Sequence, residues 1–217
     1  MTHGHEDHIG ALSYLLKEIN IPIYSARLTI GLIEGKLRER GLLRGASLNV
    51  VKAGDTIKLG CMSVEFIAVN HSIPDACGLA IFTPGGTLVH TGDFKIDYTP
   101  VDDVMIDLAR FGELGKKGVL ALMSDSTNAE RPGITPSERR VGESFDQLFS
   151  KAKDRRIIVA SFSSNIHRVQ QAIDAAQRHN RRVVVSGRSM ENVSSIAADL
   201  GYLKLPSEGL LDIDQMR

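Results

Sequence analysis

The segment Thr2-His3-Gly4-His5-Glu6-Asp7-His8 places three imidazoles and two carboxylates within seven positions. In an extended stretch alternate side chains share a face, so His3 and His5 can reach one cation, while Asp7 and His8, at the entrance of a helix, address a second. Such a set, buried without a cation, would lose hydration and gain nothing in return, so its density points to metal binding. Glu6 is expected to face outward. His71 and Asp93 stand at the ends of expected strands and are the natural further ligands, and the two oxygens of Asp93 can bridge two ions. Imidazole and carboxylate donors without a thiolate suit two divalent ions, zinc or alternatively manganese, and the residues do not choose between them. A cation pair of this kind activates water and neutralises a phosphoryl group, which makes hydrolysis the reaction class and Asp7 the candidate to take up the proton. The lone His90, His167 and His179 read as structural side chains.

Apolar residues at Ile9, Leu12, Leu15, Leu16 and Ile19 predict a helix over residues 9–19, directly behind the cluster. A short strand over 21–24, a helix over 28–40 stopped by Gly41, and strands over 48–51, 56–59 and 63–69 follow, the last leading to His71. Residues 79–82 and 87–90 pair as a hairpin across Pro84-Gly85-Gly86 and deliver Asp93 just past the second strand. From residue 119 the pattern alternates: strand 119–123, helix 137–151, strand 157–161, helix 166–179, strand 182–185, helix 191–200. That rhythm predicts βαβ units around a parallel sheet, hence two structural units with a boundary in the loop 125–136.

Ligands of open parallel sheets sit beyond the carboxyl ends of the strands. There, Phe162-Ser163-Ser164-Asn165 opens one helix and Ser186-Gly187-Arg188-Ser189 opens another. Free N–H groups, hydroxyls and the Arg188 guanidinium would make a phosphate site, or the Ser and Asn would simply cap the helices. Phe162 is a candidate to stack a base or to fill the core. Asp125 by itself reads as a turn or N-cap aspartate.

With 217 residues, 42% of them hydrophobic, the chain can bury a sizeable core; its 26 basic and 26 acidic residues balance, so any nucleic-acid site must be local. Cys61 and Cys77 read as two free structural thiols, which suits a reducing cytosol. No apolar run reaches the ~20 residues of a membrane span and no secretion signal is visible, so a cytoplasmic protein without a membrane partner is expected. His3 lies two residues from the start, an odd place for a rigid site, which suggests that a native N-terminal portion precedes it.

The series His3-Gly4-His5-Glu6-Asp7-His8, His71 and His90-Thr91-Gly92-Asp93 resembles the ligand motifs of the metallo-β-lactamase superfamily. Val89-His90-Thr91-Gly92-Asp93-Phe94-Lys95, Ser124-Asp125-Ser126-Thr127-Asn128, Ser164-Asn165-Ile166-His167-Arg168 and Gly187-Arg188-Ser189-Met190 together resemble the ribonuclease J group of its β-CASP family, over essentially the whole chain. The resemblance implies an α/β fold: a partial metallo-β-lactamase αββα sandwich over 1–130, followed by part of a β-CASP parallel α/β domain over 131–217. It implies that His3, His5 and His71 hold one metal, that Asp7 and His8 hold the other, and that Asp93 bridges them. Asp7, Asp93 and Asp125 would be catalytic, and Phe162, Ser163, Ser164, Asn165 and Arg188 would bind substrate. It further implies endonucleolytic and 5′-to-3′ exonucleolytic cleavage of RNA, a preference for a 5′ monophosphate, and homo-oligomers. Strands ahead of the first motif, and a later histidine completing the second metal, belong to that pattern and are absent from this sequence. An internal piece one ligand short is therefore expected. The competing readings are another hydrolase of the same fold, acting on a thioester, lactam or DNA end, or a metal-binding fragment without turnover.

Overall fold

The computed structural model of the chain describes residues 1–153, 155–206, 208–211 and 213–215. Contacts divide the chain into two compact units: Met1–His71, Asp75–Tyr98 and Val104–Thr135 form one, and Ser72–Pro74, Thr99–Asp103 and Pro136–Arg217 form the other.

The first unit holds two sheets. β1 (Ile23–Ser25) and β2 (Leu48–Val50) pair in parallel. β3 (Thr56–Leu59), β4 (Met62–Ala68), β5 (Cys77–Thr83), β6 (Gly86–His90) and β7 (Ala121–Met123) are neighbours in chain order, antiparallel as far as β6 and parallel between β6 and β7. Successive residues of a strand point to opposite faces, and the core divides accordingly. Ile67 packs with Ala80, Val89 and Leu114, flanked by Phe82, Phe111 and Val119. On the other face Phe66 packs with Val51 and Cys77, flanked by Tyr24, Ile57, Val64 and Leu79.

Four helices complete this unit: α1 (Glu6–Ile9), α2 (Leu12–Glu18), α3 (Arg27–Glu39) and α4 (Leu108–Lys117). α3 buries Leu28, Ile33 and Leu37 and packs on β1 and β2, while α4 covers the opposite sheet through Leu114. Helix, sheet, sheet and helix thus follow one another, each contact contributing about 1.5–3 kcal/mol per fully buried aliphatic side chain. A forked ion pair fixes α4 to β4, the Arg110 Nε and Nη2 donating to the two Glu65 carboxylate oxygens at 2.7 and 2.8 Å.

In the second unit α5 (Arg139–Ala152) and α6 (Ile166–Arg178) pack along one another, and α7 (Arg188–Asp199) follows. Phe149 meets Ala175 and Ala176, and Phe145, Ile157 and Val183 close that cluster.

Several sequence expectations change. The helix over 9–19 divides into α1 and α2 at Gly10-Ala11, where glycine weakens helix propensity, and it begins earlier, at Glu6. α4 falls where the sequence reading assigns no element; its signals are the Asp107 N-cap, accepting from the Arg110 N–H at 2.9 Å, and the spacing of Leu108, Phe111 and Leu114. The strand expected over 119–123 as the start of the wound unit is β7, an edge of the first unit's sheet. Segments 157–161 and 182–185 form no ladder among the described residues; a single parallel bridge joins Val184 to Leu211. Parallel strands are stable when both faces are covered, and Ile158, 87% exposed, lacks that cover.

Candidate metal centre

The first ligand segment is tethered on both sides. The Ser25 hydroxyl donates to the Met1 carbonyl at 3.0 Å, and the Cys77 N–H donates to the Thr2 carbonyl at 3.0 Å. His5 then caps α1, its carbonyl accepting the N–H groups of His8 and Ile9 at 3.1 and 3.0 Å, which sets His8 one turn beyond His5. The buried Thr2 hydroxyl lies 3.2 Å from His3 Nδ1 and 3.5 Å from His8 Nδ1. With both Nδ1 atoms engaged there, each ring turns Nε2 toward the cluster, the usual way in which outer partners orient metal-binding imidazoles.

β4 carries the chain towards His71 through the buried Asn70, whose carbonyl accepts the Lys95 N–H at 2.9 Å. The Asn70 carboxamide donates to the Val104 carbonyl at 2.5 Å and accepts the Ile106 N–H at 3.1 Å. Beyond β6 the backbone turns through Gly92 at φ 61°; a Cβ there would stand 2.8 Å from the Cys77 carbonyl oxygen, so only glycine fits. The Thr91 hydroxyl donates to the Gly92 carbonyl at 2.7 Å and accepts the Asp125 N–H at 2.9 Å. Thr2, Asn70 and Thr91 escaped the sequence reading. Their one signal is adjacency to the ligands, since hydroxyls and carboxamides are common at turns.

These tethers bring six of the named residues together. Ligand atoms of His3, His5, His71 and Asp93 lie within 4.8 Å of one another, and so do those of Asp7, His8 and Asp93. His5 Nδ1 stands 3.0 Å from both His3 Nε2 and His71 Nε2, near the roughly 3.3 Å that tetrahedral ligands of a zinc keep between themselves. Asp93 divides its carboxylate between the sets: Oδ2 faces His3 and His71 Nε2 at 3.9 and 3.8 Å, and Oδ1 faces His8 Nε2 at 3.4 Å. Asp7 Oδ2 is 3.6 Å from the same His8 nitrogen.

Electrostatics favour neutral rings. Burial, then the neighbouring His8, His71 and His5, push His3 down to about 2. Burial, then His5, push His71 down to about 4, with Asp93 and Asp125 opposing, and burial also lowers His5. Convergent lone pairs on neutral imidazoles around a shared carboxylate fit a divalent cation and disfavour protons.

Asp125 belongs to the same unit. Burial would raise its carboxyl, but N–H donation from Thr127 and Phe94, the Thr127 hydroxyl and the nearby His71 hold it below the usual range. Since Phe94 follows Asp93, the Asp125 carboxylate grips the loop that presents the shared ligand. Glu6 faces outward and pairs with Lys36. His90 Nδ1 accepts the Gly92 N–H at 2.9 Å, while His167 and His179 face Asp102 and Asp146. Cys61 is exposed and Cys77 buried, both free thiols.

Phe162, Ser163, Ser164, Asn165 and Arg188 all lie in the second unit. Ser163 and Ser189 hydroxyls meet at 2.8 Å, joining the two loops. Asn165 caps α6, its Oδ1 accepting the Arg168 N–H at 3.1 Å, and Phe162 is 82% exposed, so it is not a core residue in this structure. Arg188 opens α7 and is exposed.

A layered sandwich with histidines and aspartates gathered beyond its strand ends defines a class: the chain belongs to the metallo-β-lactamase superfamily, whose family model matches residues 1–119. Membership implies divalent metal binding. Residues 154–217 match the family model of the ribonuclease J β-CASP domain. Curated proteins named ribonuclease J are similar throughout: that of Helicobacter pylori strain J99 is 47% identical over 217 residues, covering 100% of this chain and 31% of its own length. That of Synechocystis is 50% identical over 208 residues, covering 95% and 32%, and that of Thermus thermophilus is 49% identical over 212 residues, covering 94% and 37%. The chain thus spans about a third of the length of these relatives. A crystal structure of a protein of unknown function from Enterococcus faecalis V583 superposes with TM-score 0.69 at 18% identity, over 100% of this chain and 55% of that one, and shares the fold. No helix among the described residues is long and apolar enough to cross a membrane.

Proposed function

We propose that this chain is part of a metal-dependent ribonuclease of the ribonuclease J type, hydrolysing RNA phosphodiester bonds by endonucleolytic and 5′-to-3′ exonucleolytic cleavage in RNA processing and decay. The observation that carries the proposal is the division of the Asp93 carboxylate between two ligand sets, joined to whole-chain similarity to proteins named ribonuclease J. His3, His5, His71 and Asp93 would hold one divalent ion and Asp7, His8 and Asp93 the other, zinc or manganese. When bound, the ions supply Lewis-acid charge for a scissile phosphate and acidity for a water.

The chain's own residues orient and accept. Asp7, with its side chain 78% exposed, is free to take a proton at one carboxylate oxygen while the other faces His8. Asp125 holds the Asp93 loop in register. In the second unit, Ser163, Ser164 and Asn165 at the start of α6, with Arg188 at the start of α7, would receive a 5′ phosphate, and Phe162 would stack on a base. Residues 1–130 would be the metallo-β-lactamase domain and 131–217 part of the β-CASP domain of a cytoplasmic, homo-oligomeric enzyme.

The test pairs metal analysis with cleavage. The chain, loaded with manganese or zinc, is incubated with 5′-monophosphorylated single-stranded RNA beside a His5→Ala, Asp7→Ala control. Metal uptake and cleavage that both fail in the control support the proposal; cleavage that survives in the control overturns the site. A Ser164→Ala, Arg188→Ala variant is expected to lose preference for a 5′ phosphate and to keep its metal.

A further inference from the structure

The C-terminal ends of α5 and α6 lie side by side over the Phe149, Ala175 and Ala176 cluster. Arg181 ties them together: its guanidinium donates to the Arg155 carbonyl at 2.8 Å and to the Lys153 carbonyl, and sits over the Phe149 ring, 5.9 Å from its centre. Carbonyls around a helix end attract cations, so Arg181 has a structural task. Arg178 is neutralised too, by a forked pair with Asp146 at 3.0 Å that His179 joins at 3.5 Å.

Lys151, Lys153, Arg155, Arg156 and Arg182 are different. All five are exposed at this junction, and no acidic side chain among the described residues pairs with them. Stretch 151–156 carries four basic residues and stretch 178–182 carries three, against the single acid Asp154. Because the whole chain is neutral, the remainder is acidic on balance and the positive charge is concentrated here. Like charges held together repel one another, and a polyanion relieves that repulsion while releasing its own counterions.

We infer that this face is a second RNA contact, binding the sugar-phosphate backbone of a single strand without reading its bases. It lies at the opposite end of α6 from Ser163, Ser164 and Asn165, and thirteen helical residues separate the two by about 20 Å. An RNA held at one end of this helix can therefore be gripped again at the other. The chemistry favours RNA over a protein partner: five exposed cations without acidic partners match a run of phosphates, whereas the exposed Leu148 and Ile158 flank the basic stretch and are not interleaved with its charges. The choice of RNA rests on the ribonuclease reading.

The test uses the whole chain and a 5′-hydroxyl oligouridylate in the presence of a chelator, with affinity read by fluorescence anisotropy across a salt series. These conditions silence the 5′-phosphate loop and the metal cluster, so failure here and failure of cleavage are read apart. Each phosphate contact on a single strand contributes about 0.7 to the slope of log affinity against log salt, hence about fivefold at roughly 0.1 M salt relative to 1 M. A Lys151→Gln, Lys153→Gln, Arg155→Gln, Arg156→Gln variant is expected to lose about 2.8 units of slope, four contacts at about 0.7 each, and hence several hundredfold in affinity at roughly 0.1 M salt, with its circular dichroism unchanged. Lys151→Arg, Lys153→Arg is expected to bind as the parent does. Should the fourfold variant not fold, Arg182→Gln alone is expected to lower the slope by about 0.7. An unchanged slope overturns the inference, and so does tighter binding of polyglutamate than of the RNA, which would assign the face to an acidic protein.

Discussion

Asp93 shows how much one carboxylate can govern. It is the only acid in the four-residue set and is shared with the second, so Asp93→Ala is expected to empty both sites. Elemental analysis after equilibration with zinc checks this; retention of both ions would mean that the sets are independent. Thr2→Val keeps the volume and removes the hydroxyl that both His3 and His8 meet. Its expected effect is a metal affinity weaker by about 10–100-fold, the usual consequence of losing an outer partner, measured by competition with a chelating dye. The rings also set a pH dependence. Unfolded histidines protonate near their ordinary value of 6.5, whereas folded His71 and His3 do so only near about 4 and about 2. Between those limits the unfolded chain binds more protons, so stability of the metal-free protein must fall as pH drops below about 6.5. Urea midpoints at about pH 8 and about pH 5 should differ in that direction; a higher midpoint in acid would contradict the burial of neutral rings.

At the level of elements, the ligands are carried by turns that the two sheets hold in place. Gly92 combines a left-handed φ with close approach to the Cys77 carbonyl. Gly92→Ala is therefore expected to destabilise the chain by roughly 1–3 kcal/mol and to reduce metal uptake, because it displaces Asp93. α4 holds the same sheet from its far face. Leu114→Ala should cost about 2–5 kcal/mol in urea denaturation without changing the ligand set; a loss below about 1 kcal/mol would mean that α4 is a loose cover. The contrast between α3 and α4 explains what a sequence makes visible. α3 carries five buried aliphatic residues, Leu28, Ile30, Leu32, Ile33 and Leu37, enough to mark it despite Gly31 and Gly35, while the shorter α4 buries only Leu114 and gains its stability from Ile67, Ala80 and Val89 on distant strands.

For the molecule as a whole, both ligand sets lie in the unit that contains β1 to β7, and α5 to α7 lie in the other. Metal binding should therefore stabilise the first unit selectively, by about 2.7 kcal/mol at a free metal concentration near 100 times Kd. Hydrogen exchange with and without a chelator checks this: amides of β4 to β6 are expected to lose protection when metal is removed, and those of α6 to keep theirs.

The chemistry of the site was fixed by composition at short range. Three histidines and an aspartate within six positions announce a cation regardless of the surrounding fold, and alternation with glycine turns announces β3 to β6. That His71 and Asp93 join the cluster and that Asp93 is shared was implied by the motif resemblance and not by local pattern; what needed the tertiary structure was that Thr2, Asn70 and Thr91 hold the ligands and that β7 joins β6. Segments 157–161 and 182–185 teach the same lesson from the other side, being strand-like in residue type but without ladder partners among the described residues. Side-chain type and local period are properties of neighbouring residues, whereas convergence and strand pairing depend on which distant surfaces bury one another, and no short window of sequence contains that information.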